Sequence, residues 1–473
     1  MPGPSLSESL PSATGPTPPR SPVPTPGRSP VPTAPSSPVP AAGPASPGSR
    51  ASSAAGISAP TAPPAIGNGS RRRELGRPAA FAALAAVFVL FMAASSAPSP
   101  LYVVYQQQWH FSATTLTTVF AVYVLGMIAA LLVLGALSDH LGRRPVLLFA
   151  TALEAVSMVL FLTAPDVTVL LAARLVQGIA TGAAMTALGA ALGDLNPAHA
   201  PHRAGVVTGA APAFGLGLGS LGCGVLVEYG PHPTRLVYLL ILAGLVVAGA
   251  VLLALPETSL RRPGAARSLL PRLRIAPHLR ADLAGLVPIL VASWALGGLY
   301  LSLGPSVAAG LFGLSSHVVG GLVVTLLTGP AFVTALALRG WPAPRTLALG
   351  ASLLLVGTAV ALVGVEEHSL VTAALGTVIA GVGFGGSSLA GFATLARIAA
   401  PAERGELLSV AFVISYLSFS VPAVIAGTAA THAGLHETAV VYAATVAALA
   451  ALALLAQWLR AHRTPEPRTC PQS

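Results

Sequence analysis

Two ionisable side chains sit where the sequence surrounds them with apolar neighbours: Glu154 in the run 146–164 and Arg174 in the run 167–190. No other Asp, Glu or Arg falls well inside a long apolar stretch. A guanidinium near the centre of a helix at bilayer depth costs about 2.5–3.5 kcal/mol on insertion scales, so Arg174 must face a partner or a watery gap. Glu154 is the one carboxylate at similar depth. Burial and a neighbouring guanidinium act on a carboxyl proton in opposite senses, and that competition suits a group that takes up and releases a proton. The same two charges would also serve as a structural ion pair locking two helices. A second cluster, Gly135-Ala136-Leu137-Ser138-Asp139-His140-Leu141-Gly142-Arg143-Arg144, joins two apolar runs. Its glycines suit a tight turn, and Asp139 can cap the next helix or pair with Arg143 or Arg144.

The elements that position these groups follow from composition. Of 473 residues 54% are apolar and 8% charged, against roughly 25% charged in an ordinary soluble domain. A large water-facing surface is excluded. The apolar runs are 79–101, 114–137, 146–164, 167–190, 205–228, 236–256, 282–305, 315–338, 346–365, 369–394, 407–430 and 437–459. Their length predicts twelve membrane helices, and no alternating pattern of ten-residue strands supports a barrel. Arginine supplies every basic charge beyond His, for there is no Lys, and the formal net charge is +10. From residue 71 on, twenty Arg fall in the segment before the first run, the even-numbered loops and the C-terminal end, and one, Arg235, in an odd-numbered loop. That parity places both termini in the cytoplasm. Basic charge in short loop clusters argues against a nucleic-acid partner.

The expected organisation is a disordered, cytoplasmic Pro/Ser/Ala-rich tail over 1–78, six helices over 79–256, a basic cytoplasmic linker over 257–281, six helices over 282–460 and a cytoplasmic tail over 461–473. Twenty of the 43 prolines lie in the first 78 residues, with Ser-Pro-Val-Pro repeated at 21, 29 and 37; such a segment cannot bury enough to offset its chain entropy. Residues 1–30 have no apolar core, so the first run is expected to insert uncleaved. A weak echo, Pro197-Ala198-His199 to Arg203 before run five and Pro401-Ala402-Glu403-Arg404 before run eleven, fits two parallel repeats. Cys223 and Cys470 give no disulfide framework and no metal spacing. His199-x2-His202 with Asp194 reads as a solvated loop. The G-x-G-x-x-G match at Gly381, Gly383 and Gly386 lies in an apolar run, where no dinucleotide-binding βαβ unit can form, and reads as tight helix packing. No metal and no cofactor are expected.

The loop 135–144 resembles the signature G-x-L-x-D-R-x-G-R-R of the major facilitator superfamily, with His140 in place of Arg. Leu170-x3-Arg174-x2-Gln177-Gly178 resembles the family's fourth-helix motif. Gly215-x3-Gly219-Ser220-x3-Gly224 is similar to its antiporter signature, with Ser220 where Pro stands and Cys223 for a Gly; close helix packing is the alternative for that run. The resemblance covers about 79–460. It implies an all-α membrane protein of two six-helix bundles and a loop, 135–144, that latches the two halves and favours the outward-facing state. It also implies a proton-coupling role for Arg174, with a cavity lined by helices one, four, seven and ten. Candidate cavity residues are Ser99 and Tyr102 in span one, Tyr123 in span two, and Trp294 and Tyr300 in span seven.

The expected protein is a monomeric secondary transporter of the plasma membrane, not an enzyme. Its partners would be a small molecule, protons and the lipid bilayer. Proton-coupled efflux of an apolar or weakly polar compound fits the apolar interior. A proton-coupled importer of a neutral metabolite such as a sugar is the alternative, and a non-transport sensor is disfavoured because no soluble output domain follows.

Overall fold

In the computed structural model, the described residues are 75–197, 200, 203–259, 265–269, 275–314, 316–400 and 403–462. The Pro-rich repeats, Arg71–Arg73, His199, His202 and Cys470 lie outside them, as does most of the expected tail 1–78 and all but two residues of 461–473. The described residues form helices and connections with no strand.

Among the described residues, twelve helices are long and apolar enough to cross a membrane: Arg77–Trp109, Ala113–Leu134, Arg143–Thr163, Val167–Asp194, Arg203–Tyr229, Leu236–Leu253, Pro277–Ser302, His317–Ala337, Ala343–Glu366, Leu370–Ile398, Arg404–Ala433 and Leu435–Leu459. They are called spans one to twelve below. Large apolar side chains stay exposed on their outer faces, among them Val246, Val247, Val371 and Val441. A soluble monomer avoids so much oily surface; a lipid-facing one requires it.

Several ends fall outside the apolar runs. Span one continues through Gln106–Gln108 to Trp109, closed by His110 in the left-handed region (φ 50°). Span seven begins within the expected linker, at Pro277, and after Leu303 a further helix, Gly304–Phe312, follows it. Backbone hydrogen bonding carries a helix past its apolar residues wherever no breaker intervenes. Spans one and seven are interrupted at matching places, Ser96-Ala97-Pro98 and Ser302-Leu303-Gly304-Pro305.

Spans two, four and ten start with a side-chain cap: Ser112 accepts from Thr115 N–H, Asp166 from Thr168 and Val169 N–H, and Ser369 from Thr372 N–H. Spans one, three, five and eleven start instead with Arg, at the opposite end of the bundle. Arg is unfavourable beside a helix N-terminus by about 0.3–1 kcal/mol. Carrying it into the bilayer would cost more, so the Arg-rich end is set by the membrane rather than by the helix dipole.

The helices pack in a repeating scheme. Span one packs on five, two on four, three on four and three on six; seven packs on eleven, eight on ten, nine on ten and nine on twelve. Adding six to each index of the first set gives the second. Between the sets, five meets eight and two meets eleven, again related by the same shift. The glycines in the G-x-G-x-x-G run of span ten serve this packing. A Cβ on Gly381 or Gly385 would strike carbonyls of span eight, and one on Gly383 would strike the backbone of span nine.

The two sets touch unevenly along their length. At the Arg-poor end Thr114 Oγ1 lies 3.0 Å from Thr431 Oγ1, and Glu228 Oε2 accepts from the His317 backbone N–H at 2.8 Å. There a Cβ on Gly224 would come within 2.5 Å of the His317 carbonyl, and one on Gly321 within 2.4 Å of that of Ser220. Nearer the middle, Phe120 packs on Phe419 with ring centroids 5.1 Å apart. Toward the Arg-rich end, Gly205 of span five and Gly405 of span eleven have no neighbour within 4 Å of where a Cβ would stand. The sets therefore meet from the middle to the Arg-poor end.

Candidate functional site

Arg174 is 1% exposed and Glu154 fully buried. They are not an ion pair. Gln177, one turn beyond Arg174 on span four, stands between them: Arg174 Nη1 donates to Gln177 Oε1 at 2.6 Å, and Gln177 Nε2 donates to Glu154 Oε1 at 3.1 Å. The amide suits this place because it offers an acceptor to the cation and a donor to the carboxylate at once. Gln177 Nε2 also donates to the Ala94 carbonyl at 3.0 Å, and Arg174 Nη1 to the Ser95 carbonyl at 3.0 Å. Arg174 Nε donates to Tyr102 Oη at 2.7 Å, and Nη2 points to the same oxygen. The guanidinium lies 5.3 Å from the ring centres of Tyr102 and Tyr123 and 5.8 Å from that of Phe161, within cation–π reach. Tyr123 Oη donates to Ser95 Oγ at 3.0 Å. Spans one to four thus share one polar network on both sides of the interruption of span one at Ala97.

Glu154 Oε2 makes no hydrogen bond, and neither does the neighbouring hydroxyl of Ser157. A buried carboxyl oxygen without a donor is rare, because an unpaired buried polar atom is costly. A proton is the smallest group that can change its state without repacking.

The sequence candidates scatter in an informative way. Tyr102 and Tyr123 belong to the Arg174 network. Ser99, on the second part of span one, is buried with its hydroxyl unpartnered. Trp294 lies in an aromatic cluster with Tyr416, Phe392 and Phe419, centroids 4.8–6.1 Å apart, and that cluster reaches Phe120 of the first set. Tyr300 is elsewhere: its hydroxyl lies 2.6 Å from Thr377 Oγ1, against span ten. Gly178 lets span four touch span two, where a Cβ would overlap the Tyr123 carbonyl. Gly215 and Gly219 bring span five against span one, while Gly224 brings it against span eight.

The loop 135–144 is held by groups that sequence spacing does not connect. Arg143 pairs with Asp139 at 2.5 Å and with Asp194, at the end of span four, at 3.2 Å. The expected cap of span three is not Asp139 but Glu257, which accepts from Arg143 N–H at 2.8 Å and Arg144 N–H at 3.2 Å. Gly142 (φ +109°) makes room: a Cβ there would lie 2.5 Å from Glu257 Oε2, and positive φ strains other residues. Gly135 similarly spares a clash with the Leu131 carbonyl. These ties join the loop to span four and to the segment after span six. Glu257→Ala is expected to lower stability by about 1–2 kcal/mol, the worth of a cap plus its charge at a helix start. A thermal-melt comparison checks this; an unchanged midpoint would show that water replaces the cap.

The sequence profile described as Major Facilitator Superfamily matches residues 83–365. The chain is 32% identical over 143 residues to a "Multidrug resistance protein MdtL" of Shewanella sp. (strain ANA-3), covering 29% of this chain and 35% of that protein. It is 32% identical over 187 residues to a triacylglyceride transporter of Mycolicibacterium hassiacum, covering 39% and 32%. The matched part is therefore about a third of the length of these relatives. Among solved structures, a bacterial homolog of the human lysosomal transporter Spinster, inward-facing and unoccupied, superposes with a TM-score of 0.66 at 15% identity, covering 84% of this chain and 100% of that one. The xylose transporter XylE from E. coli, inward open, gives 0.64 at 15% identity, covering 83% and 98%. With twelve apolar spans among the described residues whose packing recurs at an index shift of six, and a profile match over more than half its length, the chain belongs to the Major Facilitator Superfamily and is a multi-pass membrane protein.

Proposed function

We propose that the protein exports an apolar or weakly polar compound from the cell in exchange for protons, working as a monomer in the plasma membrane. The observation that carries this reading is Glu154, buried with one oxygen unpartnered and the other tied through Gln177 to Arg174 and to span one. Protonation of Glu154 weakens it as an acceptor from Gln177. The amide then loosens its hold on Arg174 and on the Ala94 carbonyl, three residues before the interruption at Ala97. A proton is thereby given different contacts in two arrangements of span one, as a coupling ion requires. By the positive-inside rule the Arg-rich end is cytoplasmic. The multidrug and triacylglyceride names of the relatives support an apolar cargo. The aromatic cluster around Trp294, on the seam of the two sets, is the surface that would receive it.

Inside-out vesicles from a host lacking its own pumps are expected to accumulate radiolabelled apolar compounds when their lumen is acidified, and to release them on adding a protonophore. Accumulation in right-side-out vesicles instead would make the protein an importer; indifference to the proton gradient would remove protons from the reading.

A further inference from the structure

Within the second set, away from the seam, spans seven to ten and twelve enclose a cavity of about 270 Å³. Its walls are mainly aliphatic, with Phe312 and Tyr300 also on them, and no charged residue lines it. It has a direction. On span ten the lining runs from Leu370 to Ala380, ten residues and so about 15 Å along the helix. The shallow end lies by Leu370 and Leu322, which are 47% and 39% exposed on the lipid-facing surface. At the deep end are three hydroxyls, of Tyr300, Thr358 and Thr377.

Two of these satisfy each other. Thr377 Oγ1 donates to the Ala373 carbonyl at 2.8 Å and so accepts from Tyr300 Oη at 2.6 Å. Thr358 is 1% exposed, and its Oγ1 has no partner. Threonines in helices ordinarily return such a proton to a carbonyl one turn back, as Thr377 does. Water is a poor guest, since a buried water needs two to four polar partners. An apolar cavity of about 150 Å³ takes up benzene, so this larger one has room for an organic molecule of about two rings.

We propose that this side pocket binds an uncharged apolar compound bearing one acceptor oxygen. The oxygen accepts from Thr358 at the deep end, and the hydrocarbon part fills the aliphatic walls toward the lipid. The site is separate from the seam between the two sets, and its occupancy is read without any transport assay.

Benzophenone is the probe: a neutral two-ring ketone whose carbonyl becomes a cross-linker under light. The purified full-length transporter in nanodiscs is irradiated with limiting benzophenone, and adducts are mapped by mass spectrometry. Adducts are expected on the pocket wall around Leu299 and Leu326. Thr358→Val keeps the shape, loses no protein hydrogen bond and so folds as the parent does; it is expected to cut the adduct about fivefold, the worth of one hydrogen bond. Val323→Trp, which fills the cavity, is expected to abolish the adduct at an unchanged melting midpoint. Adducts spread over bilayer-facing residues such as Val371 and Val441, or an unchanged yield in Thr358→Val, would overturn the proposal.

Discussion

Glu154→Gln is expected to lose proton-driven accumulation by about a hundredfold, the upper range of a coupling free energy between two sites, while inserting and folding as the parent does. The substitution spares what the structure uses. A glutamine Oε1 can still accept from Gln177 Nε2, as Glu154 Oε1 does. The amide nitrogen replaces Oε2, which has no partner to lose. Only the ability to take a proton is removed. One-for-one exchange of labelled against unlabelled cargo, which needs no net proton movement, is therefore expected to persist in proteoliposomes. Accumulation against a gradient disappears, and the pH dependence of flux flattens. If accumulation and its pH dependence both survive, Glu154 is a structural residue and the coupling site lies elsewhere.

The largest effect on folding is expected at Gly357. Gly350, Gly357 and Gly364 repeat every seven residues along span nine and meet Ser387, Ala380 and Ala373 of span ten, while Gly376 and Gly383 of span ten meet Ala361 and Leu354 of span nine. A Cβ on Gly357 would come within 2.1 Å of the Ala380 nitrogen and 2.6 Å of its Cα. Both are backbone atoms, so nothing yields by changing rotamer. Gly357→Val must push the helices apart along their whole seam. Overpacking inside a core costs about 1–3 kcal/mol where side chains can adjust, and separating two backbones that associate by close contact is expected to exceed that range. The expected result is aggregated or degraded protein in place of a monodisperse peak on size exclusion. Gly249→Val, on span six with nothing within 4 Å of the new Cβ, is the matched control and is expected to melt with the parent. Equal behaviour of the two variants would contradict the seam.

The membrane helices were legible because lipid punishes errors of polarity, and because Arg counts in alternate loops supply an independent check. Their ends were less so: the first apolar run stops at 101, yet the backbone of span one runs on to Trp109. Glu154 and Arg174 announced themselves as charges among apolar neighbours. Gln177 did not, since an uncharged amide leaves little mark on hydropathy and its bridging role needs three helices in place. Glu257, capping a helix that starts 114 residues earlier in the chain, leaves no local pattern at all. Trp294 and Tyr300 were grouped as lining one space. Six residues on a helix turn about 240°, so the two face different sides, and only Trp294 reaches the seam. The seven-residue glycine spacing of span nine was present in the sequence, but its meaning depends on which helix lies opposite.

The Arg-poor closure between the two sets is made largely of main chain laid on main chain, as at Gly224 against His317 and Gly321 against Ser220. Attraction of that kind fades within a fraction of an ångström, unlike the gradual pull between opposite charges. A door held this way has no stable ajar position. It stays shut under small strains and, once started, swings through, with the Glu228–His317 and Thr114–Thr431 ties as its few bolts.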